Sequence, residues 1–117
     1  MSSDEPIRQQ PLIATVSPQA ARTVVNVEGE ACYPTSAPLD QALQSALAAP
    51  ARVVDIDFSH VTFCDCHALN TLLRARCQAA RAGAHLTLRP TLQPVVHRLL
   101  TLTGAAPLLS GERPHAA

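Results

Sequence analysis

The sequence predicts an α/β domain built on one open sheet of about four to five strands covered by helices, in the order β-β-α-β-α-β-α. Three observations lead there. Two short runs rich in β-branched residues come first, at 12–16 and 23–27. Later apolar runs of strand length alternate with segments whose apolar residues recur every three or four positions. The connections between them are only a few residues long, as in a compact sheet with helical crossovers. The chain has 117 residues and is 47% hydrophobic, which suits one domain removing roughly two thirds of its unfolded surface from water. Its aromatic residues are Tyr33, Phe58 and Phe63, so the core is expected to be aliphatic.

Each element has its own reason. The first two strands are separated by Ser17-Pro18-Gln19 and pair as a hairpin, the second ending at Gly29-Glu30. Past a loop at 34–38, the spacing of Leu39, Ala42, Leu43, Ala46 and Leu47 marks a helix that Pro50 stops. Residues 52–58 alternate Val53, Val54, Ile56 and Phe58 with acids, reading as a strand near the sheet centre and buried largely on both faces. One of Asp55 and Asp57 is expected near a strand end in solvent, because an unpaired buried carboxylate is costly. A second helix is expected over 67–82, with Gly83 as its stop. Its polar arc holds His67, Asn70, Thr71, Arg74, Gln78 and Arg81, and its apolar arc Leu69, Leu72, Leu73, Ala79 and Ala80. Arg76 falls within the apolar arc, its stem covering the core margin, and Cys77 at the edge of that arc reads as a packing thiol. Residues 85–89 form a brief strand. Pro94 opens a third helix that ends at Gly104, with His97 on its solvent side.

Composition excludes several functions. The net charge is zero and the basic residues, all arginine, form no dense run, which argues against nucleic acid and acidic membranes as partners. No stretch of about eighteen apolar residues occurs and the start lacks a signal-peptide pattern, so a cytoplasmic protein is expected. Cys32, Cys64, Cys66 and Cys77 are then expected as free thiols. Residues 1–11 and 110–117 read as flexible tails around a domain at 12–109.

The most informative stretch is Phe63-Cys64-Asp65-Cys66-His67-Ala68-Leu69, where a strand-like run passes into a helix. Such junctions expose side chains and free N–H groups at the carboxyl end of a sheet. Cys64, Cys66 and His67, with Cys32, could bind a metal or sense redox state, since a helix N-terminus favours the thiolate. The spacing argues against it, because no second donor pair of the kind found in structural zinc sites is present. An enzyme with Cys66 or Cys32 as nucleophile, His67 or His60 as base and Asp65 as orienter ranks lower still, because adjacent helical side chains diverge by about 100°. No catalytic residue, cofactor or metal is assigned.

Three segments carry a resemblance to a known family: Val25-Asn-Val-Glu-Gly-Glu, the run from Val53 to Asp65, and Val95-Val-His-Arg-Leu-Leu-Thr-Leu-Thr-Gly. In this order, over roughly 12–109, they resemble the STAS domain, the module of anti-sigma factor antagonists that also occurs in sulfate transporters and stress-sensing assemblies. In that family a Gly-Glu-x-Asp word follows the second strand. A Phe-x-Asp-Ser-Ser-Gly-Leu word follows the third, and a partner kinase phosphorylates its second serine. Here the first word reads Gly29-Glu30-Ala31-Cys32, and in the second Asp65 matches while Cys66 and His67 replace the serines. A serine switch cannot operate at His67, because its ring nitrogen forms only a labile phosphoramidate where a serine hydroxyl forms a stable phosphate ester; that phosphate would bring about two negative charges to a helix N-terminus, where histidine brings at most one positive. The resemblance implies a non-enzymatic docking module without the serine switch. Its contact residues are expected among Cys32, Tyr33, Asp65, Cys66, His67, Asn70, Thr71 and Arg74. Its partner would be an anti-sigma factor or serine-kinase-like regulator, or another STAS protein.

Overall fold

The computed structural model describes residues 11–19, 22–33, 36–49 and 52–110. The remainder of both expected tails, the loop residues 34–35 and the expected helix stop Pro50 lie outside the described residues. Strands β1 (Ile13–Gln19), β2 (Arg22–Ala31), β3 (Val53–Cys64) and β4 (His85–Leu88) form one sheet in sequential order. Helices α1 (Ala37–Ala48), α2 (Cys66–Arg81), α3 (Pro94–Thr103) and α4 (Ala106–Leu109) complete the fold. The expected α/β class and element order therefore hold, with the short α4 added after the third helix.

The sheet register explains the burial. β1 and β2 are antiparallel, whereas β2–β3 and β3–β4 are parallel and joined across α1 and α2. Val25 lies opposite Ile56, which lies opposite Leu88, so one face of three strands is continuous and apolar. Against it pack α1, through Leu39, Leu43 and Ala46, and α2, through Ala68, Leu69, Leu72 and Ala79. The two helices also touch each other, and Gln44 Nε2 donates to Gln78 Oε1 at 3.0 Å across their outer seam. Phe58, Leu39, Leu43, Ile56 and Leu72 are fully buried, each worth about 1.5–3 kcal/mol relative to exposure.

Several boundaries differ from expectation. Ser17-Pro18-Gln19 belongs to β1 rather than to a turn, with Pro18 opposite Thr23; an edge strand tolerates a residue that cannot donate. β2 does not end at Gly29-Glu30 but bulges there, at the positive φ of Gly29, and continues to Ala31. β3 runs six residues beyond Phe58 to Cys64, paired to β2 almost throughout. It is not apolar on both faces. Val54, Ile56 and Phe58 face the core, while Asp55 and Asp57 point to the opposite side.

Neither acid sits at a strand end. Asp55 is buried in mid-strand, where Thr87 Oγ1 donates to it at 2.8 Å, Arg22 pairs with it, and Arg89 Nη2 lies 3.8 Å away. A buried carboxylate is tolerated here because it is paired on several sides. Asp57 is half-buried and accepts from the Ser59 hydroxyl at 2.6 Å and backbone N–H at 2.9 Å. The Ser59 hydroxyl, then its N–H, hold the Asp57 carboxyl below the usual carboxylate range against the opposing effect of burial.

α2 begins one residue earlier than expected and ends at Arg81, Ala82 capping it before the left-handed Gly83. Thr71 of the expected polar arc is buried and Ala80 of the apolar arc is exposed, which turns the buried stripe toward the first half of the helix. Cys77 is exposed, not packed, and Arg76 is half-buried. His97 lies on the exposed side of α3, as expected, and Gly104 caps that helix in the left-handed conformation.

Candidate functional site

The parallel pairing of β2 with β3 decides where the site is. Ala31 lies opposite Cys64, so both strands end together and the loop after β2 meets the start of α2. The Asp65 backbone N–H donates to the Ala31 carbonyl at 3.1 Å, carrying the pairing one residue past the strand. Asp65 then leaves the sheet in extended conformation and becomes the N-cap of α2. Its two carboxylate oxygens have separate tasks. Oδ1 accepts from the Ala68 N–H at 3.0 Å, closing the first turn, and Oδ2 accepts from the Tyr33 N–H at 3.0 Å, holding the neighbouring loop. One side chain thus clamps two segments about thirty residues apart in sequence.

Tyr33 is held from a second side, since its carbonyl accepts from Ser36 Oγ at 3.2 Å at the entry to α1. The residue is 71% exposed, and its ring meets the His67 ring edge-on, with centroids 5.0 Å apart and planes at 85°. Below His67, Thr71 turns its hydroxyl inward and donates to the His67 carbonyl at 3.1 Å. Tyr33, Ser36, Asp40, His67, Thr71 and Arg74 border an open hollow of about 380 Å³ between the starts of α1 and α2.

Of the expected contact residues, Tyr33, Cys66, Asn70 and Arg74 are exposed, and Asp65 and His67 are half-buried. Two differ from a surface placement: Cys32 and Thr71 are buried, at 4% and 3%. Cys32 follows directly on the last β2 residue and turns under the loop, while Thr71 sits where α2 meets the core. Ser36 and Asp40 were missed. Their signal was faint, a serine and a first-turn acid at a helix start, and nothing in the sequence placed that start opposite His67.

The thiol readings fare differently. Cys64 is a buried thiol whose Sγ lies 3.6 Å from the Asp65 carbonyl, and burial, then the Asp65 charge, push it up to about 12. Cys66 is the first residue of α2 and exposed. The strand-to-helix change therefore parts the two thiols that a continuing strand would have put on one face. Among the described residues, no three of His, Cys, Asp and Glu are placed so as to hold a metal ion. The two oxygens of Asp65 accept from backbone N–H groups rather than from a histidine ring. His60 sits beside Ser59, its Nδ1 3.2 Å from the hydroxyl.

A mixed sheet with helical crossovers and a clamp at the paired ends of two parallel strands defines a class of small α/β domains that present a loop-and-helix surface. The model of the family described as "Mlab, STAS domain" matches residues 14–110, and the chain belongs to the STAS domain family. Its fold is that of an anti-sigma factor antagonist from Mycobacterium paratuberculosis, at 24% identity and a TM-score of 0.72 over 90% of this chain and 87% of that one. It is also that of the anti-sigma factor antagonist SpoIIAA in its unphosphorylated form, at 15% identity and a TM-score of 0.68 over 87% and 89%. No curated protein matches the chain significantly. No helix among the described residues is long and apolar enough to cross a membrane.

Proposed function

We propose that residues 12–109 form a non-enzymatic regulatory docking domain of the anti-sigma factor antagonist type, acting in the cytoplasm on transcription. It engages a protein partner through the β3–α2 junction. The observation that carries this reading is the Asp65 clamp, which makes one rigid surface of Tyr33, His67 and the outer side of α2. Rigid presentation of an exposed aromatic lowers the entropy lost on docking. Family membership and the fold shared with two anti-sigma factor antagonists support the same reading.

The partner we infer is an anti-sigma factor or serine-kinase-like regulator, or another STAS protein. Contact is independent of a serine phosphate, because His67 occupies the position of the family's acceptor. The experiment measures binding of candidate serine-kinase anti-sigma proteins to the parent chain, to the Asn70→Ala/Arg74→Ala variant and to His67→Ser, with labelled ATP present. Binding by the parent, weakened in the double variant, and phosphate transfer to His67→Ser alone are expected. Phosphorylation of the parent chain would refute the missing switch, and unchanged binding by the double variant would refute the docking surface.

A further inference from the structure

The buried stripe of α2 faces the sheet, but a second stripe runs along its outer side. Asn70, Leu73, Arg74, Cys77, Gln78 and Arg81 recur at helical spacing and border an open hollow of about 650 Å³. It meets the hollow beside His67 at Arg74, which borders both. Charge on this face is one-sided in a chain whose net charge is zero. α2 holds Arg74, Arg76 and Arg81 and no acidic residue over its 16 positions. Among the described residues, ion pairs join Arg22 and Arg89 to Asp55 and Asp57, and Arg74 and Arg81 take part in none. Arg74 reaches only the Thr71 hydroxyl, at 3.5 Å, and the nearest acid bordering either hollow is Asp40, at the His67 end.

We propose that the outer stripe of α2 receives an acidic amphipathic helix of the partner protein, with carboxylates on Arg74 and Arg81 and an apolar side chain on Leu73 and Cys77. The proposal rests on the docking reading above and names the chemistry of the partner. Arg74 and Arg81 are two helical turns apart, about 10.5 Å along the axis, so a helix lying alongside meets both with acids seven residues apart. Half-buried Leu73 gives the apolar contact that fixes its rotation. Unpaired guanidiniums favour carboxylate geometry and repel a basic helix, which supplies specificity as well as attraction.

The test titrates the full chain, observed by amide NMR, with a capped synthetic helix of about 14 residues carrying glutamates seven apart and leucines between them. A second peptide has lysine at the glutamate positions. Shifts confined to the exposed positions of 70–81 are expected with the first peptide and not the second. Its affinity should fall about 3- to 10-fold in Arg74→Gln/Arg81→Gln and several-fold between about 50 mM and 500 mM salt. Circular dichroism checks that the variant is folded. Absent shifts, or equal binding of both peptides, overturn the proposal. Shifts only around Tyr33, Asp65 and His67 also overturn it while leaving the docking reading intact. Concentration-dependent broadening along α2 before any peptide is added makes a second copy of this chain the occupant, and equally overturns it.

Discussion

Replacing Asp65 separates the two tasks of the clamp. In Asp65→Ala the N-cap oxygen is lost, worth about 1 kcal/mol. The negative charge at the N-terminus of α2 goes with it, about 0.3–1 kcal/mol. The Tyr33 N–H loses its acceptor, but it is exposed and water replaces the bond, so about 0.5 kcal/mol is added. The sum is about 2 kcal/mol, a fall in Tm of roughly 8–12 °C for a domain of this size. Asp65→Asn is the informative intermediate. An amide has one acceptor oxygen, so it can serve Ala68 or Tyr33 but not both, and it carries no charge. A loss of about 1 kcal/mol is expected, midway between parent and alanine. Urea denaturation followed by circular dichroism reads all three, and NMR reports whether the Tyr33 and His67 resonances move in the asparagine variant. If alanine lies within about 0.5 kcal/mol of the parent, or asparagine is as damaging as alanine, the two-oxygen clamp does not hold the site together.

Other substitutions test the surrounding structure. Gly29→Ala would place a methyl into the Pro11 carbonyl at a left-handed φ of 106°, so a loss of about 2–4 kcal/mol is expected in the same denaturation assay. With a mild alkylating agent at neutral pH, mass spectrometry should find Cys66 and Cys77 modified and Cys64 protected until the protein is unfolded. The raised Cys64 value also has a direction: the fold keeps the neutral thiol, so this contribution is present below the ordinary thiol pKa and is lost as pH rises from there toward about 12. Asp57 acts in the opposite sense, its contribution present above the ordinary carboxylate pKa and lost as pH falls through the lowered one. Ser59→Ala should move the Asp57 titration upward and narrow acid tolerance, and an unmoved carboxyl resonance would contradict the bond from the Ser59 hydroxyl.

Legibility followed the range of the interactions involved. Helix positions were readable because Leu39, Leu43, Leu69 and Leu72 state their spacing within a few residues. The tail of β3 was not, since Ser59, His60 and Thr62 break the apolar alternation and that stretch is held mainly by ladder bonds to β2. Gly29 read as a strand end because a glycine interrupts the pattern whether the chain stops or bulges. Asp55 read as an outlier for the same reason: its partners Arg22, Thr87 and Arg89 come from two other strands and the turn beyond β4.

The candidate site divides along the same line. The sequence alone determined that a strand passes into a helix near Asp65 and that α2 bears arginines on its outer side, because residue type and helical period are local properties. Only the tertiary structure decided that Tyr33 stands against His67, that Cys32 and Thr71 turn inward, and that Cys64 and Cys66 part company. Those outcomes depend on which ends of β2 and β3 lie side by side. That register is set by the packing of the whole apolar face against α1 and α2, which no segment specifies by itself.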